Sequence, residues 1–133
     1  MATATTTTRS GWVTFTALIA GIVAVYNILS GIAAIAEDDR TEALGEVLYG
    51  VDITAWGWFW LILGIVQLAT AGMILTRNPL GQTLGLVWAF VGASLSVFMI
   101  FVAPLWALAV LAINVMVIWA LTTNTEEFGD NYD

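Results

Sequence analysis

Long apolar runs separated by short polar breaks make up most of this chain. Four runs, at about residues 12–36, 55–75, 81–102 and 104–122, contain no Asp, Glu, Lys or Arg. Each is close to the roughly 20 helical residues that cross about 30 Å of hydrocarbon. Lipid offers backbone amides no hydrogen-bond partner, so each run is predicted to be a helix. The alternating polarity of a membrane β-barrel is absent. The fold class that follows is all-α: a polytopic membrane protein with four transmembrane helices in an antiparallel bundle.

The breaks carry their own signals. Asn78-Pro79 sets a capping side chain before a proline at the first helical position, and Pro104 opens the last run similarly. The loop Glu37 to Asp52 is the longest. Within it Leu44, Val47, Leu48 and Val51 fall on one helical side and Gly50 is a terminator, which predicts a short external surface helix between helices 1 and 2. Residues 1–11 read as a flexible cytoplasmic arm, 12–123 as the transmembrane domain, and 124–133 as an exposed acidic cytoplasmic tail.

Composition supports the class: 60% of the 133 residues are apolar and 10% charged, with a mean hydropathy of +0.93. Ala34-Ile35-Ala36 resembles a signal cleavage site, but the run before it exceeds the usual signal core of about 7 to 15 residues, so a retained span is expected. The basic residues are Arg9, Arg40 and Arg77 alone. With four crossings Arg9 and Arg77 share a side, which by the positive-inside rule places both termini in the cytoplasm of a plasma-membrane protein. The Glu37–Asp52 loop, with six carboxylates and one arginine, is then external. Asp38, Glu42 and Glu46 stand four apart and form a solvated acidic face; no calcium-loop spacing accompanies them.

Aromatic residues fit interfaces between lipid and water. Trp56 and Trp58 lie at the external end of the second run with Trp106 at the same level of the fourth, and Trp12 and Trp119 at the opposite level. Not all of "TAWGWFW" can face lipid, since neighbours on a helix point about 100° apart. Gly57, Trp60, Gly64, Gln67 and Ala71 step by threes and fours along one inward seam. Ala17, Ala20, Ala24, Asn27, Gly31 and Ala34 form a similar seam on the first helix, and the two are expected to meet, because small residues allow the close approach that packs helices in lipid. Gly81, Gly85, Ala89 and Ala93 form a ridge on the third helix, with Gly92 and Ser96 beside it. That ridge packs either within the protomer or between subunits.

No charged residue lies inside a span. The deepest polar side chains are Asn27, Gln67, Ser94, Ser96 and Asn114, within about 8 Å of the midplane by helical rise. They are expected to turn inward, with Gln67 at the height of Asn114 and Asn27 at that of Ser96. Asn27, Trp60, Gln67, Ser96 and Asn114 are thus the candidate polar core or pocket. Asp52, just before the second span, reads as its capping residue rather than a coupling carboxylate.

The chain has no cysteine and no histidine. Thiol redox relays, imidazole ligation of haem and Ser/His/Asp hydrolysis are thereby excluded within it. No phosphate-binding glycine loop follows a strand, and a net charge of −7 opposes electrostatic binding of nucleic acid. The chain is expected to be no enzyme and to hold no cofactor or metal.

The stretches "GWVTFTALIAGIVAVYNILSGIAAIAEDD", "VDITAWGWFWLILGIVQLATAGMIL" and "PLWALAVLAINVMVIWALT" cover most of the chain. In their order the protein resembles a family of small actinobacterial four-helix membrane proteins of unknown function. Its relatives often place a histidine where this chain has Trp60, so chemistry through that position is not implied here. The resemblance implies fold and location, not activity. The acidic, lysine-free makeup suits a haloarchaeal source as well as an actinobacterial one. Two roles remain: a noncatalytic accessory subunit of a larger membrane complex or homo-oligomeric scaffold, and a small transporter, channel subunit or lipophilic-ligand carrier with its polar pocket near the outer leaflet.

Overall fold

In a computed structural model of the chain, residues 10–36 and 52–129 are described. All regular elements among them are helices: α1 (Gly11–Ala36), α2 (Ile53–Leu75), α3 (Pro79–Met99), α4 (Pro104–Thr123) and the single turn α5 (Glu126–Gly129). The first four include four segments long and apolar enough to cross a membrane. This is the makeup of a multi-pass membrane protein. The surface helix expected over 41–50 lies outside the described residues, as does most of the amino-terminal arm.

The helix ends follow from side-chain chemistry. Ser10 Oγ accepts from the Trp12 amide at the start of α1. Asp52 Oδ1 accepts from the amides of Thr54 at 2.9 Å and Ala55 at 3.2 Å, so this carboxylate caps α2. Asn78 Oδ1 accepts from the Leu80 amide at 2.9 Å, with Pro79 opening α3. Pro104 likewise opens α4, but Ala103 supplies no side-chain cap. The third helix is shorter than expected, ending at Met99 rather than near residue 102. The amides of Val102 and Ala103 both turn back to the Met99 carbonyl and close the connection. Hydropathy could not place that turn, because no polar side chain interrupts residues 97–113.

The described residues divide into two compact units, one of residues 10–18 with 70–129, the other of residues 19–36 with 52–69. In the second, small residues bring α1 and α2 together. A Cβ on Gly31 would lie 2.6 Å from the Leu61 amide nitrogen and 2.7 Å from the Gly57 carbonyl oxygen; one on Gly64 would lie 2.8 Å from the Ile28 nitrogen and 2.9 Å from the Ala24 oxygen. As the position rises along α1 its neighbour falls along α2, so these two segments run in opposite directions. With backbone against backbone, dispersion and close packing hold the pair where no hydrophobic effect operates.

The first unit has a compact core of Val13, Ala17, Ile74, Ala89, Val117, Leu121 and Phe128, with Leu86 and Ile118 packed against it. Gly81 lies with its Cα against the Met73–Ile74 backbone, Gly85 against the side chains of Ile74 and Leu121, and Gly92 against the Asn114 amide. The α3 ridge is therefore used within the protomer. Phe128 corrects an expectation: the tail after residue 124 is not wholly exposed, since this ring is almost fully buried in the core.

Gly31→Ala places its new methyl against backbone that cannot rotate away. It is expected to destabilise the protein by about 1–3 kcal/mol, read from the midpoint of detergent-denaturant unfolding. Gly72, whose surroundings are open, is the control: Gly72→Ala should be neutral or gain about 0.5–1 kcal/mol from helix propensity.

Candidate functional site

The candidate polar residues fall into separate groups. In the second unit Asn27 is buried on α1, and its Nδ2 donates to Gln67 Oε1 on α2 at 2.5 Å. Its partner is the amide on the facing seam, the two seams having been expected to meet. The small residues beside it hold the helices close enough for two short side chains to bridge, and each amide removes a desolvation cost from the other.

On the same helix the aromatic run makes a packed cluster. The Trp56 and Phe59 rings stack at 5.5 Å, and Trp60 meets both edge-on at 5.6 and 5.7 Å. Trp60 is half-buried while Trp56 and Trp58 are exposed. The rings fill one another's faces, an arrangement suited to anchoring in a lipid boundary. In the first unit Trp12 and Trp119, expected at one level, meet edge-on at 5.3 Å. Trp106 is exposed.

Ser96 and Asn114 also lie in the first unit, on α3 and α4. Both satisfy themselves locally: Ser96 Oγ donates to the Gly92 carbonyl at 2.7 Å and Asn114 Nδ2 to the Val110 carbonyl at 2.9 Å. Ser94 Oγ does the same with Phe90. Such bonds to a carbonyl one turn earlier hide a hydroxyl or amide from lipid without a second helix. The polar side chains of the spans are thus engaged through one interhelical amide bridge and three intrahelical bonds.

The most elaborate polar site is one the sequence did not announce. After α2 the chain reverses through a two-bond turn, Asn78 N donating to Met73 O and Arg77 N to Ile74 O, with Arg77 at φ 59°. This is the Schellman arrangement, whose left-handed position usually belongs to glycine. An arginine there costs roughly 1–2 kcal/mol of backbone strain. Its side chain offsets that cost through contacts no glycine could make. Nε donates to Glu127 Oε2 at 2.6 Å, Nη1 to the Ile74 and Leu75 carbonyls, and Nη2 to Ser10 O and Thr14 Oγ1. Glu127 Oε1 in turn accepts from the Ser10 amide at 2.5 Å.

Arg77 is 5% exposed, so this charge is enclosed. Five donors fixed in a plane can serve the α2 end, the start of α1 and the tail at once, which an ammonium group could not do. Beside this node Gln82 Nε2 donates to Leu121 O and Thr125 Oγ1, tying α3 to the end of α4. The sequence signals were faint: a lone cation before Asn-Pro, and an aromatic residue inside an acidic tail.

Glu127→Gln leaves the guanidinium enclosed without its counter-charge and is expected to cost about 3 kcal/mol in unfolding free energy. Arg77→Lys should not restore the wild-type value, because the planar fork is lost. At the amide bridge, a double-mutant cycle of Asn27→Leu and Gln67→Leu should give a coupling of about 0.6 kcal/mol, and under 2 kcal/mol.

Neither curated proteins nor solved structures include a match to this chain. A described family does match, over residues 12–126, from the first tryptophan of α1 to the glutamate that begins α5. That stretch contains all four long helices, the amide bridge and Arg77, and on it the chain belongs to the family described as a domain of unknown function, DUF7144.

Proposed function

We propose that this protein is a noncatalytic integral membrane protein that works by association, as an accessory subunit of a larger membrane complex or as a scaffold assembling with its own copies. The observation that supports this most is the internal use of polar groups. Asn27 and Gln67 bond each other, Ser96 and Asn114 bond their own helices, Asp52 caps α2, and Arg77 holds Glu127. Groups so engaged fix rotation and register, whereas coupling and catalytic groups in membranes are costly polar side chains kept for exchange with a substrate or proton.

In this reading the four spans alternate in direction and form an antiparallel bundle in the plasma membrane. Arg77 and the helix termini beside it face the cytoplasm, and the acidic segment between the first two spans faces outward. Lipid is the constant partner and nucleic acid is none. The internal use of Gly81, Gly85 and Gly92 leaves association to other surfaces.

A carrier of a lipophilic ligand is the second reading, favoured by one observation: the Asn27–Gln67 bond is only partly buried, so a ligand carbonyl or hydroxyl could exchange for it. Extraction from the native membrane in mild detergent separates the two. Association predicts a particle of fixed stoichiometry containing a larger protein or several copies. A monodisperse single chain that releases a lipophilic molecule on denaturation would overturn it in favour of the carrier.

A further inference from the structure

The two short connections of the first unit differ in chemistry. Between α2 and α3 the chain shows Thr76, Arg77 and Asn78. Between α3 and α4 it shows no polar side chain from Val97 to Ile113 apart from the indole of Trp106. The apex of this second hairpin is also the most exposed apolar surface described: Phe101 is 93% exposed, Leu105 85%, Val102 76%, Phe98 75% and Trp106 70%. Such a patch in water would be a liability, because contiguous apolar surface is a site of association or membrane contact.

We infer that the α3–α4 apex is immersed in lipid, with its apolar side chains among acyl chains at the hydrocarbon boundary and no water-facing loop between these two spans. This rests on the membrane reading above and goes beyond it, since a span count places turns in water. Three observations favour lipid over protein as the cover. First, the turn pairs part of its backbone within itself: the Ile100 amide donates to Val97 O, the Val102 and Ala103 amides donate to Met99 O, and Pro104 has no amide hydrogen to satisfy, which leaves the amides of Phe101, Leu105 and Trp106 for the polar edge of the boundary. Pairing of this kind lowers the cost of seating the turn at the hydrocarbon edge.

Second, the helices are short enough. At 21 and 20 residues, α3 and α4 each rise about 30 Å, the thickness of the hydrocarbon itself, so nothing in their length lifts the apex clear of it. Third, the exposed surface is continuous with the lipid-facing bands of the same helices, through Leu95, Phe98 and Leu105 to Leu108.

The chain contains no cysteine, so single thiols report without background. Val102→Cys at the apex, Val87→Cys on the exposed middle of α3 and Thr76→Cys at the polar turn are each spin-labelled in the full-length protein. The protein is reconstituted in phosphatidylcholine vesicles, and collisions with oxygen and with a water-soluble nickel chelate are measured. The oxygen-to-nickel ratio at residue 102 is expected to lie on the order of tenfold above that at residue 76 and to approach that at residue 87. If residue 102 behaves like residue 76 while residue 87 stays in lipid, the apex is in water and the inference is overturned with the membrane reading intact. Low collision with both reagents at residue 102 means protein covers the apex, by a second copy or by residues 37–51, and also overturns it. Nickel access at residue 87 would instead sink the membrane reading itself. Phe101→Cys repeats the apex measurement should Val102→Cys fail to fold.

Discussion

A solvent that accepts and donates no hydrogen bonds dictates most of what is seen here. In hydrocarbon every amide, hydroxyl and carbonyl must find its partner within the chain, and an unsatisfied one costs several kcal/mol. Helices meet that demand for the backbone. Most side chains meet it by two routes, depending on where they fall, while Thr16 Oγ1 and Trp88 Nε1 are buried without a partner among the described residues. Ser94, Ser96 and Asn114 return to a carbonyl on their own helix, while Asn27 and Gln67 reach across to each other. Only the second route carries information between helices, and it is available only because Gly31, Gly57 and Gly64 have removed the side chains that would hold α1 and α2 apart.

Packing and polarity are therefore coupled rather than additive. A methyl group inserted at Gly31 separates two backbones and, by doing so, stretches the bridge between Asn27 and Gln67 one turn away. In water such a bridge would contribute little, since either amide could bond solvent when released. In lipid, released amides must find other partners, so the bridge specifies the facing surfaces even though its net energy is small.

The spans, the two caps at Asp52 and Asn78, and the facing seams of α1 and α2 were legible because each depends on local chemistry or periodic spacing. Hydrophobic runs count crossings, a side-chain oxygen before a helix satisfies its first amides, and steps of three and four draw a stripe down one side. The end of α3 was not legible, because a turn inside an unbroken apolar stretch changes no polarity for a sequence reading to detect. Nor was the bond between Asn27 and Gln67, although both lie on the seams expected to meet: spacing draws a stripe, whereas a bond depends on the register of the two helices. The enclosure of Arg77 was hidden for a third reason. It depends on a residue 50 positions away and on a left-handed backbone that the sequence would assign to glycine.

That long-range node also bears on the topology proposed for the spans. Ser10, Arg77 and Glu127 touch one another, so the start of α1, the α2–α3 turn and the segment after α4 lie together. Points in contact cannot lie on opposite sides of a bilayer some 30 Å thick. In the membrane reading proposed above, these contacts have the chain return to the same side between Ser10 and Arg77, and again between Arg77 and Glu127. Two long helices fill each interval, α1 and α2 in the first and α3 and α4 in the second. An odd count, in which one of the four lay flat on the surface or ended within the membrane, would separate residues that the ion pair holds at 2.6 Å. The contacts among Ser10, Arg77 and Glu127 support that parity, while the crossings themselves rest on the length and hydropathy of the four helices.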